Sequence, residues 1–218
     1  MKKLLILATG LIVSLFTGCT INDQSIEDSP IPNGIHDIEN RNNESEISVI
    51  DAEVEVYEFQ EAVSKADLIA QVEIMDIIEE VDDPSPKTVY RTKILESLKG
   101  RPETSEIYVM QQGNSEYVFN GNALFEQGDK YILFMMETEG LNIEDSYYIL
   151  GEETGMYKLT DQLTAVKLSV QEDMLEEIEI TDLGIAPFSI EDTRHEIQIL
   201  QQDKLKSLII NLSEEGQQ

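Results

Sequence analysis

The 218-residue chain sets 44 Asp and Glu against 15 Lys and Arg, a net charge of −29, and contains one cysteine, two histidines and no tryptophan. A negative field of that size keeps the molecule soluble and repels phosphate backbones and anionic headgroups, which argues against nucleic acid as a ligand and against membrane contact through the protein surface. The single cysteine leaves no intramolecular disulfide and no zinc site built on cysteine pairs, so the fold must rest on its apolar core, for which 41% hydrophobic residues suffice.

Residues 1–18 read as a secretion signal. Lys2 and Lys3 form a positive n-region, and Leu4 to Phe16 form an apolar stretch of 13 residues, too short to span a bilayer. Thr17 and Gly18 then supply small residues directly before Cys19, the only cysteine. With Phe16, Thr17, Gly18 and Cys19 in line, the segment resembles the signal of bacterial lipoproteins, although that family usually has Leu where Phe16 stands. The resemblance implies that Cys19 receives a diacylglyceryl group and becomes the mature N-terminus. The protein would then sit on the extracytoplasmic side of the cell membrane, with the membrane as its partner through lipidated Cys19. Two acyl chains hold stably where one holds only marginally, at about 0.8 kcal/mol per buried methylene.

From the lipidated Cys19 to Ala52 the chain reads as a disordered acidic linker. Residues 20–52 contain eight acids, five asparagines, two prolines and no aromatic residue. Such a stretch cannot bury enough surface to offset the cost of ordering. As a flexible tether its typical reach is roughly 30 Å. His36 falls here, where it reads as a solvated linker residue.

A barrel domain is expected over 53–170. Phe59, Ala62, Val63 and Ala66 recur at i, i+3, i+4, i+7, which predicts a short helix. The period then changes to two: Leu68, Ala70, Val72, Ile74 and Ile78 fall on even numbers, with Gln71, Glu73 and Glu79 between them, as in a half-buried strand. After a turn at 82–86, residues 88–100 alternate again with Tyr90, Ile94 and Leu98 on one face, and Gly100 closes the run. Further strand-like runs cover 106–112, 130–136, 147–151, 156–159 and 163–168, with Gly113, Gly121, Gly128, Gly140, Gly151 and Gly155 at turns. Many short strands at this spacing predict a mainly β fold, an antiparallel barrel or sandwich.

Residues 171–218 form an acidic, largely helical C-terminal segment in this reading. Ser169 with Glu172, and Ser189 with Asp192, have capping-box spacing. Leu205, Leu208, Ile209 and Leu212 make a second helical stripe, so at least one C-terminal helix should pack on the barrel.

Between Ala66 and Leu159 the segments ADLI, YRTKILESLKG, QGDKYILF and YYILGEETGMYKL resemble secreted and lipid-anchored bacterial domains of the netrin or tissue-inhibitor type without their disulfides. The resemblance implies a small oligonucleotide/oligosaccharide-binding (OB-like) barrel. It implies turn roles for Gly100, Gly128 and Gly151, core roles for Tyr131, Leu133 and Phe134, and no catalytic residue.

Chemistry is sparse. His195-Glu196 is half of a zinc-protease motif whose second histidine would stand at Ile199, so it carries no zinc. No GxSxG elbow and no phosphate-binding GxxxxGK[ST] loop occurs. Glu152 with Glu153 is one of many chance carboxylate pairs in so acidic a chain, and Asp82-Asp83 and Glu137, Glu139 with Asp145 are turn charges rather than a calcium loop. No catalytic residue, metal site or cofactor is expected. One cluster stands out: Lys87, Arg91, Lys93, Lys99 and Arg101 all carry odd numbers within 15 positions, which places them on one face of a strand. They predict a solvent-facing basic ridge. It either serves an anionic wall polymer or acidic protein partner, or neutralises nearby acids, namely Glu73, Glu106 or the six acids in 171–182. The functions left open are a tethered envelope binding module, a structural envelope-maintenance lipoprotein without a dedicated ligand, and a hydrolase that uses acids alone.

Overall fold

The two spacings in the sequence become two layers of one unit, seen in a computed structural model that describes residues 48–138, 143–161, 163–167, 169, 171–180 and 197–216. Cys19 and its signal segment, His36, the Ser189 and Asp192 box, and His195 lie outside the described residues. In chain order the elements are β1 (Ser48–Ile50), α1 (Phe59–Lys65), β2 (Leu68–Val81), β3 (Lys87–Lys99), β4 (Glu106–Gln112) and β5 (Tyr117–Phe119). They continue with β6 (Lys130–Glu137), β7 (Ser146–Ile149), β8 (Met156–Leu159), β9 (Thr164–Lys167), β10 (Gln198–Gln201) and α2 (Gln202–Glu215). Two 3-10 turns, Glu152–Gly155 and Asp173–Ile178, complete the path.

Strands β6, β2, β3, β4 and β7 hydrogen-bond in that order, and β7 pairs back onto β6, which closes a five-stranded barrel. All its pairings are antiparallel except β4 with β7. Counted along the chain, the barrel strands run 1-2-3-5-4, an OB-like arrangement. Leu68, Ala70, Val72 and Ile74 enter the barrel interior with Tyr90, Ile107, Val109, Tyr131, Leu133 and Met135. From Leu68 to Ile74 the alternation read from β2 is therefore the inner face of the barrel, whereas Ile78, read into the same stripe, lies past the register shift at Met75 and is exposed.

The other face is buried as well. Beyond β6 the sheet continues through β8, β9 and β10, and a second core holds Ile69, Ile132, Phe134, Tyr157, Ala165 and Leu200 against α1 and α2. From α1 it takes Phe59, Ala62 and Val63, and from α2 it takes Leu205 and Ile209, both 0% exposed. Leu208 and Leu212 pack at its margin, so both helical stripes are occupied as the spacing predicts. Gly100 ends β3 at φ +82°, where an added Cβ would collide with the Asp67 carbonyl, so glycine is required both for the turn and for the close approach.

Four further features differ from the sequence reading. Residues 48–52, expected to belong to the disordered linker, are held in the fold: Ser48–Ile50 pairs in parallel with β5 and the Ala52 N–H donates to Asn120 Oδ1 at 2.9 Å. The described part of the C-terminal segment contains a strand, β10, as well as its helix. Ser169 caps no helix: the 3-10 turn begins at Asp173 without a side-chain cap, and the Ser169 hydroxyl is buried without a partner. Leu98 shares parity with Tyr90 yet lies in the second core, because two irregularities in the β2–β3 register, at Leu95 and at Leu98, break the alternation.

Candidate functional site

The five basic residues expected to form a ridge are placed by β3 and its end, and the two neighbouring strands decide what each can do. Across β2, Arg91 stands opposite Asp76, since Met75 is skipped in the pairing. Its guanidinium grips that carboxylate with both arms, Nε to Oδ1 at 2.9 Å and Nη2 to Oδ2 at 3.1 Å. Glu106 lies 3.9 Å from Nη1, and these acids, Asp76 foremost, raise the Arg91 pKa. Lys99 turns away from solvent and donates from Nζ to the carbonyls of Val63 and Ser64, at 2.7 and 2.8 Å, which caps the C-terminal end of α1. Burial lowers its pKa, with Asp67 opposing the shift.

Lys93 remains exposed between Glu73 on β2 and Glu106 on β4, its partners in the strand register. Arg101, past the end of β3, is exposed, and Lys87 is half-buried opposite Val81 and Gln112. The cluster is therefore not one solvent-facing ridge. Arg91 and Lys99 are engaged within the fold, and Lys93 with Arg101 face water. Of the acids described in 171–180, the one in an ion pair is Glu172, and its partner is Lys167 rather than the ridge.

A second place of chemical interest lies at one end of the barrel. Inside it Phe125 bridges two tyrosines, with ring centroids 5.2 Å from Tyr90 and 4.5 Å from Tyr131. The loop carrying Phe125 is stapled by Gln111, whose Nε2 donates to the Ala123 carbonyl (2.8 Å) and whose Oε1 accepts the Phe125 N–H (3.0 Å). Lys158 Nζ sits 2.8 Å from Asp129 Oδ2, which also accepts the Tyr131 hydroxyl at 3.2 Å. Between them lies a cavity of about 130 Å³ whose walls include Phe125, Tyr131, Glu153, Met156 and Lys158. Burial pushes the Tyr90 hydroxyl up to about 12 and raises Tyr131 further.

Next to this cavity Glu152 is 8% exposed and holds φ +47°. Desolvation pushes its carboxyl up to about 8, adjacent Glu153 adds to the shift, and the Gln112 N–H and Lys87 oppose it. Burial therefore favours its neutral form. In the sequence this pair cannot be told from a chance one; its one signal is a carboxylate placed directly after Gly151 in a tight connection between two strands. Among the described residues no group of three His, Cys, Asp or Glu is placed to hold a metal ion, and no helix is long and apolar enough to cross a membrane. No family model and no curated protein matches the chain.

Proposed function

We propose that the protein is a lipid-anchored binding module on the extracytoplasmic face of the membrane, held by diacylated Cys19 and presenting the outer face of β3 and β4 to an anionic envelope polymer or an acidic protein. The observation that supports it best is the join of a lipoprotein-like signal, ending on the only cysteine, to an OB-like barrel. Barrels of this type use the face of their second and third strands for ligands. Here those strands are β3 and β4, and they carry Lys93 on a molecule whose net charge is otherwise strongly negative.

Two measurements test the reading. Mass spectrometry of membrane-extracted protein is expected to find a diacylglyceryl adduct on an N-terminal Cys19, and Cys19→Ser is expected to release the protein or leave it unprocessed; an unmodified Cys19 in the membrane fraction refutes the anchor. For binding, the double variant Lys93→Gln, Arg101→Gln is expected to lower retention on envelope fragments several-fold and to flatten its salt dependence, with melting little changed because both side chains face water and no like charge is placed opposite Glu73 or Glu106. Retention equal to that of the native protein refutes the β3 face as the binding surface.

A further inference from the structure

The connection from β7 to β8 is strained in a way its neighbours do not require. Gly151 and Glu152 both take left-handed backbone angles, φ +66° and +47°, which glycine adopts freely and glutamate rarely does. Thr154 ties the turn by donating to the Gly151 carbonyl from its N–H (3.0 Å) and its hydroxyl (2.7 Å). The strain turns the Glu152 side chain inward. Its carboxyl lies near the backbone N–H of Gln112 at the end of β4, which favours the ionised form, while Oε2 is buried with no partner. Glu153, next in the turn, also buries an unpartnered oxygen, and its side chain forms part of the cavity wall with Phe125, Tyr131 and Met156.

The charged and titratable groups around Glu152 are few. Glu153 repels its ionised form from within the turn, and Lys87 on β3 attracts it from a distance, with no ion pair formed. On the far side of Gly151 stand the Glu55 carbonyl and the Tyr57 ring, and the Tyr57 hydroxyl donates to the Glu55 carboxylate. A neutral carboxyl fits this position, whereas a carboxylate would leave a buried charged oxygen beside a second acid.

We propose that Glu152 is a proton-operated latch: when neutral it seats the Gly151–Gly155 turn against the end of β4, and when ionised it withdraws to solvent, lifts the turn and opens the cavity at the end of the barrel. The raised carboxyl, at about 8, sets the range in which the latch works. The device belongs to the fold and requires neither the lipid anchor nor a ligand on β3.

Hydrogen exchange on the full chain in detergent, read by mass spectrometry at roughly pH 6 and pH 9 with times scaled for intrinsic rates, tests it. Peptides covering 148–158 are expected to lose about 100-fold in protection at the higher pH, because opening gains a decade per pH unit from the ordinary carboxyl range up to about 8, where the buried carboxyl itself ionises and the gain levels off. Glu152→Gln is expected to abolish that change. Equal protection at both pH values in the native chain overturns the proposal, as does an unchanged pH response in Glu152→Gln. Should that variant fail to fold, carbon-13 NMR of the native Glu152 carboxyl decides: a midpoint near 8 supports the latch, and a midpoint in the ordinary range of about 4 to 5 overturns it.

Discussion

Glu172→Ala is expected to destabilise the domain by about 3 to 5 kcal/mol, because it strands a buried lysine. Lys167 lies on β9 at 1% exposure, with Nζ 3.4 Å from Glu172 Oε1, 3.3 Å from the Thr154 carbonyl and 3.4 Å from the Tyr157 hydroxyl. Its ammonium also sits 5.2 Å from the centroid of the Tyr157 ring. Glu172 does more than neutralise it: the other oxygen accepts the Phe59 N–H at 3.4 Å, joining the segment after β9 to the first turn of α1. Burial lowers the Lys167 pKa and Glu172 opposes that shift. Since the folded pKa is depressed, the unfolded chain binds more protons as pH approaches the ordinary lysine range, and stability rises with pH in that window. Without Glu172 the window extends to lower pH, so the variant should regain part of its loss in alkaline buffer. The pair Lys167→Met, Glu172→Gln removes both charges and is expected to come within about 1 kcal/mol of the native protein. Urea unfolding followed by circular dichroism measures all three. A double variant as weak as Glu172→Ala would show that the loss comes from geometry rather than from an unpaired charge.

The same Glu172 marks where sequence reading stops. Its spacing from Ser169 fits a capping box, but spacing names only a local partner, and the carboxylate is committed instead to Lys167 and α1. Elements with a periodic apolar stripe were legible: Phe59, Ala62 and Val63 gave α1, the even residues of β2 from Leu68 to Ile74 gave the barrel interior, and Leu205 with Ile209 gave α2. Strands β1 and β5, of three residues each, are too short for a period to register, and they exist because they pair with one another across 69 positions of chain, Ser48 with Tyr117. The basic cluster was legible as a set of residues on one face, yet parity says nothing of what lies across the sheet. Asp76 reaches Arg91 only because Met75 is skipped in the register, and Lys99 reaches α1 only because Gly100 permits the close approach to Asp67. Glu152 was illegible for another reason: burial of a carboxylate in a turn depends on the end of β4, which is distant in sequence.

Phe134→Ala is the other large effect expected, about 3 to 5 kcal/mol, and it tests whether β6 serves two cores at once. On β6, Tyr131, Leu133 and Met135 point into the barrel, while Ile132 and Phe134 point the other way. Phe134 is 1% exposed, with its ring centroid 5.8 Å from Phe59 on α1 and 5.5 Å from Tyr157 on β8. Truncation removes the common partner of a three-ring cluster whose third contact, Phe59 with Tyr157, spans 6.4 Å. At about 2 to 4 °C per kcal/mol for a domain of this size, the melting temperature should fall by roughly 10 °C. Phe134→Leu keeps most of the volume and should cost less than half as much. The loss should also be uneven. Amide protection is expected to fall first in α1, which holds to the sheet through Phe59, Ala62 and Val63, and last in β2 and β3, whose Leu68, Val72 and Tyr90 belong to the barrel interior. Uniform loss across barrel and helices would mean that the two cores unfold as one, since β6 is shared by both; a loss below about 1 kcal/mol would mean that the helices are not held by this cluster.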